Sequence, residues 1–195
     1  MSLRKYVIRP FETIQEKTLL VIGILFILIS SPFAFLTNSR FDGVIDMHTG
    51  SNVLWYQPLI DNIVNTICLT VLLYLLSLLL PTKARIIDIL NVALISRIPL
   101  YFTLFTNIGG INQETGEYLL ANISDPTALA NLPILNLIIL GLGAILSLIA
   151  LVLMGVLIYQ GYKTATNSKK LSHNILLVPA VLIAEVISKY LTYQY

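Results

Sequence analysis

Five long apolar runs limit what this chain can fold into more than any other feature. They lie at residues 18–36, 59–80, 86–108, 132–159 and 175–191. A bilayer core about 30 Å thick takes about 20 helical residues to cross. The runs therefore predict an all-α fold, a polytopic bundle of five transmembrane helices forming a single domain over residues 1–195. Composition agrees with this. The chain is 56% hydrophobic and 11% charged, whereas a soluble domain carries about 25% charged residues. A chain of 195 residues cannot hide that much apolar surface in a water-soluble core, so the lipid bilayer is the expected partner.

The first run reads as a span and not as a cleaved leader. The segment before it is long, and "SSPFAFLTNSR" after it offers no small-x-small cleavage site. The fourth run exceeds one crossing, so tilt or extension is expected. Before it lies "DPTALANLP", read as a short interfacial helix. Asp125 or Asn131 would cap it, and Pro126 or Pro133 would open a turn.

Basic residues in short flanks set orientation. Arg4, Lys5, Arg9 and Lys17 precede the first run, Lys83 and Arg85 follow the second, and Lys163, Lys169 and Lys170 follow the fourth. With five alternating spans, all of these share one side. The other side receives Arg40 and Lys189 with the acids Asp42, Asp46, Glu114, Glu117 and Asp125. This predicts a cytoplasmic N-terminus and an outer C-terminus. Trp55, Tyr56, Tyr190, Tyr193 and Tyr195 sit at expected outer edges, Tyr159 and Tyr162 at an inner one.

Charges inside the runs are the candidate functional groups. A charge at the bilayer centre costs about 2.5–3.5 kcal/mol on insertion scales. Arg97 lies about 16 Å into the third run and Glu185 about 15 Å into the fifth, at about 1.5 Å per residue. Their similar depth predicts an interhelical Arg97–Glu185 pair. Two alternatives stay open. Glu185 and Lys189 are spaced to pair along one helix, or Lys189 snorkels outward. Pro99 also frees the carbonyl of Ile95, to which Arg97 would donate locally. Arg85, Asp88, Asn91 and Ser96 share one helical arc, which allows a stretch along the interface, but a full span kinked at Pro99 is preferred. Asp88 and Asn91 join Arg97, Glu185 and Lys189 as the candidate intramembrane network. Asp61, Asn62, Asn65 and Thr66 read as caps and interhelical hydrogen bonds. Gly143, Ser147 and Ala150 share a face and predict a close helix–helix seam, within the chain or between two copies.

Several chemistries find no support. The net charge of +2 and the lack of a basic-aromatic stripe argue against nucleic acid. Cys68 is the only cysteine, which rules out an internal disulfide or a cysteine-based metal site, and it reads as a small packing residue. Asp46-x-His48 has a metal-ligand spacing but no second cluster. His173 stands alone on a basic loop. No nucleophile–base pairing, phosphate loop or zinc helix appears, so neither an enzyme nor a cofactor is expected. Asn122-Ile123-Ser124 fits a glycosylation acceptor, relevant only in a secretory pathway.

Three stretches resemble the Ypt-interacting-protein (Yip) family. "RPFETIQEKTLLVIGILFIL" is similar to the entry into its first span. "RIIDILNVALISRIPLYF" is similar to the third span of bacterial members. "LMGVLIYQGYKTATNSKKLSHNILLVPAVLIAEVI" is similar to the short hinge between its last two spans. Nearly the whole chain takes part, and the Asp-Leu-Tyr-Gly-Pro signature of eukaryotic members is absent. The resemblance implies a bacterial-type Yip protein of the inner membrane, multi-pass, with no catalytic residues. The expected role is a non-enzymatic scaffold or membrane organiser, partnered by a second copy or another membrane protein. The alternative is a small solute or ion transporter using the intramembrane polar residues.

Overall fold

The computed structural model describes residues 8–50, 52–79, 84–125, 127, 130–167 and 175–195. Arg4, Lys5, Lys83, Pro126, Lys169, Lys170 and His173 lie outside the described residues, so the basic-flank reading is only partly open to inspection. The described chain is almost wholly helical. A one-turn helix α1 (Pro10–Thr13) leads into α2 (Glu16–Leu36), followed by a two-stranded hairpin, β1 (Ser39–Arg40) and β2 (His48–Thr49). Then come α3 (Gln57–Leu79), α4 (Ile86–Ser96), α5 (Ile98–Tyr101), a 3-10 segment (Phe102–Gly110), α6 (Ile111–Ala121), α7 (Ile134–Thr166) and α8 (Leu177–Thr192).

Among the described residues, four helices are long and apolar enough to cross a membrane: α2, α3, the composite Ile86–Ala121, and α7. The fifth expected span appears as α8, with 16 residues. That is about 24 Å at 1.5 Å per residue, short of a full crossing by length alone.

Two boundaries differ from the sequence reading. The third run continues past 108. Gly109 and Gly110 adopt φ of +79° and +78°, which glycine tolerates and side chains resist. They turn the chain into α6, a polar helix that the apolar runs did not reveal. As the proline led the sequence reading to expect, the helix is interrupted beside Pro99, at Arg97 between α4 and α5, because Pro99 cannot supply an interior N–H. The fourth helix, at 33 residues, outruns the expected 132–159. Pro133 stands at its N-cap with extended ψ, and Asn167, in the left-handed region, ends it.

Helix α3 packs against α2, α4 and α8, and α7 packs against α4, α5, the 3-10 segment and α6. Between α7 and α8 runs an apolar groove floored by Ile45. One core joins Leu69 and Leu73 of α3, Ile89 and Val92 of α4, and Met154 of α7. Val44 belongs to that core although it lies in the hairpin. Cys68 is buried in α3. Gly143 and Ala150 are buried on α7, where a Cβ on Gly143 would meet Asn112 and Thr106. Gly143 therefore faces the chain's own 3-10 segment and α6, while Ser147, expected on the same face, is exposed.

Candidate functional site

The site grows from the hairpin between α2 and α3. Helix α2 ends where Thr37 bonds back to Phe33. Asn38 then takes φ +46°, a left-handed position asparagine tolerates better than most. The strands pair Ser39 with Thr49 and Arg40 with His48. Residues 41–46 project inward between the helices, with Phe41 and Val44 fully buried.

An inserted irregular loop carries backbone groups that no regular structure satisfies. Polar side chains of the helices satisfy them here. Asn65 Nδ2 donates to the Phe41 carbonyl at 2.7 Å. Thr192 Oγ1 donates to the Asp42 carbonyl at 2.6 Å. Arg97 Nε donates to the Val44 carbonyl at 3.3 Å. The Ile45 N–H donates to Glu185 Oε2 at 2.9 Å. Gly43 lies against Glu185 so closely that any Cβ there would overlap the carboxylate. Nearer the hairpin's base, Asn107 Nδ2 donates to the Thr37 carbonyl at 2.7 Å.

Arg97 and Glu185 therefore do not form the expected direct ion pair. Each holds one side of the same stretch of loop backbone. The guanidinium also donates through Nη1 to the Asn62 carbonyl at 3.2 Å, and it lies 5.7 Å and 5.8 Å from the ring centres of Phe41 and Tyr101. Its partners are distant in sequence, so the local bond to Ile95 is not how its side chain is used. Lys189 does not pair with Glu185 along α8 either. It bonds Asp46 of the loop, a second tie between the last helix and the hairpin.

The remaining candidates form a separate group. Asp88 pairs with Arg85, which also pairs with Glu16. Asn91 Nδ2 donates to the Glu16 carbonyl at 3.1 Å. This cluster lies at the end read as cytoplasmic, and its hydrogen bonds run to Glu16, not to the partners of Arg97. His48 pairs with Asp42 and Asp46 with Lys189.

Sequence reasoning missed the hairpin's outer lock. Arg40 forks onto Asp61 at 3.0 Å and 2.7 Å and donates to the Thr192 and Tyr195 carbonyls. Tyr195 Oη donates to Asp61 at 2.9 Å. The bond to Asp61 raises the Arg40 pKa above its ordinary value. Asp61, fully buried, was an available signal, because a carboxylate at the start of an apolar run needs a cation. Asn62 Nδ2 bonds Ser31 of α2 at 3.1 Å, an interhelical bond of the kind expected there. Four polar atoms at and around Arg97 have no hydrogen-bond partner among the described residues: Arg97 Nη2, Tyr101 Oη, Asn62 Oδ1 and Asn65 Oδ1. Among the described residues no group of three or more His, Cys, Asp or Glu is placed to hold a metal.

Comparison with family models, curated proteins and solved structures finds no match.

Proposed function

We propose that this chain is a multi-pass integral membrane protein of Yip type, acting as a non-enzymatic organiser or scaffold, with its intramembrane charges serving architecture. The observation that carries this reading is Arg97, which is fully buried, with Nε and Nη1 bound to backbone carbonyls of the inserted loop and α3. A guanidinium with no exposed surface offers no face to a passing solute. The bilayer setting draws support from α7. Its most apolar window has mean hydropathy 2.9 and is only 17% buried, an exposed apolar surface far beyond what soluble monomers tolerate. The proposed arrangement is five crossings in a bacterial inner membrane, N-terminus cytoplasmic, with α8 extended by its flanking residues. A second copy or another membrane protein would use the exposed helix faces. The second reading is passage of a small solute or ion. It draws on the four unpaired atoms near Arg97, which resemble the polar lining of a path.

Flux across liposomes separates the two. Wild type, Arg97→Ala and Glu185→Ala are compared at equal folded protein. The architectural role predicts equal silence in all three, with the variants losing stability. Solute flux in wild type that either substitution abolishes while the fold survives would contradict it.

A further inference from the structure

At the end read as cytoplasmic, a cavity of about 250 Å³ opens between α1, α2, α4 and α7. Phe11 of α1 forms one wall. It seats against Gly161 of α7, where a Cβ would meet Val92 at 2.7 Å and the Phe11 ring at 2.8 Å, so the glycine is what lets this wall close. The polar lining is Glu16, Arg85, Asp88, Asn91 and Thr164.

This lining has more acceptors than donors. Arg85 commits its Nε and Nη2 to Glu16 and Asp88, and the three charges sum to −1. Thr164 donates its hydroxyl to the Gln160 carbonyl, leaving its oxygen as an acceptor. Asn91 is 2% exposed. Its Nδ2 is used by the Glu16 carbonyl, and its Oδ1 has no partner among the described residues. A buried acceptor left unmet is costly, and a hydrogen bond to a charged donor repays more than a neutral one. The group that matches such a lining has several N–H donors, a positive charge and no acceptor, which is a primary ammonium.

We infer that this cavity binds a primary ammonium group, carried by the ethanolamine headgroup of a phospholipid. The ammonium enters among Asn91, Glu16 and Asp88. The phosphate stays outside, near the exposed part of Arg85. The apolar walls of Phe11, Ile14 and Leu19 suit the start of the lipid body. A trimethylammonium headgroup has no N–H to give and is the discriminating competitor. The inference rests on this end lying at a bilayer surface. Should that reading itself fail, the protein would stay monodisperse without detergent, which lipid preference does not report.

The test is native mass spectrometry of the full chain, delipidated in detergent, with phosphatidylethanolamine and phosphatidylcholine of identical acyl chains. Wild type is expected to retain the ethanolamine lipid about tenfold better, the factor for one charged hydrogen bond. Free ethanolamine is expected to compete only at much higher concentration. Asp88→Asn and Glu16→Gln, both at the cavity mouth, should reduce the preference, and Asn91→Leu should abolish it. Circular dichroism checks each fold. Equal retention of the two lipids by wild type overturns the inference, as does a preference that survives in Asp88→Asn and Glu16→Gln. Competition by free ethanolamine without any preference for the lipid assigns the site to a soluble amine and overturns the lipid source.

Discussion

At the scale of single residues, Arg97 and Glu185 were visible in the sequence and their partners were not. A lone charge in an apolar run is conspicuous because lipid makes it costly. Residue types encode opposite charges, so a side-chain pair was the natural expectation. The partner turned out to be main chain, the peptides of Val44 and Ile45, and a backbone carbonyl has no letter in a sequence. This geometry fixes what substitution does. Arg97→Ala strands the Val44 carbonyl and empties the space beside Phe41, which is expected to cost about 2–4 kcal/mol. Arg97→Lys keeps the charge but replaces a planar fork with a single ammonium. It cannot span Val44 and Asn62 together, and is expected to recover less than half of that loss. Chemical unfolding in detergent, followed by circular dichroism, reads both. A Lys variant as stable as wild type would mean that charge alone, not the fork, is what the site needs.

At the scale of elements, the long helices followed from hydropathy, and the hairpin with α6 did not. Residues 41–46 mix apolar and polar letters without a period, so nothing marked them as an insertion. Helix α6 reads "INQETGEYLLA", too polar to continue an apolar run. It forms because Gly109 and Gly110 turn the chain and because Asn136 of α7 bonds Thr115 at 3.0 Å. The hairpin carries its own titration. The hydrogen bond to Asp42 raises the His48 pKa above the ordinary imidazole value, desolvation and Arg40 oppose this, and Asp46 assists. A pKa raised on folding gives stability that is complete below the unfolded value of about 6.5. That stability is lost as pH climbs through the folded value. Melting temperature is thus expected to fall between mildly acidic and mildly alkaline pH. Asp42→Asn should flatten that slope, and a variant with the wild-type slope would detach it from His48.

At the scale of the whole molecule, the polar residues of α3, α4 and α8 act together to line a slot for non-helical backbone. Irregular chain at membrane depth is tolerated only where protein supplies the hydrogen bonds that water would supply. Asn65, Arg97, Glu185 and Thr192 supply them here, which is why these helices are less purely apolar than α2 or α7. The most direct measurement is thiol labelling of the loop tip with a membrane-impermeant maleimide, in a Cys68→Ala background. Val44→Cys is expected to stay unreactive in folded protein, while Leu54→Cys, exposed near the same end, labels readily. Adding Arg97→Ala should release the tip and make position 44 reactive. A Val44→Cys protein that labels as fast as Leu54→Cys, with Arg97 intact, would contradict the inserted loop and the role given to every charge that holds it.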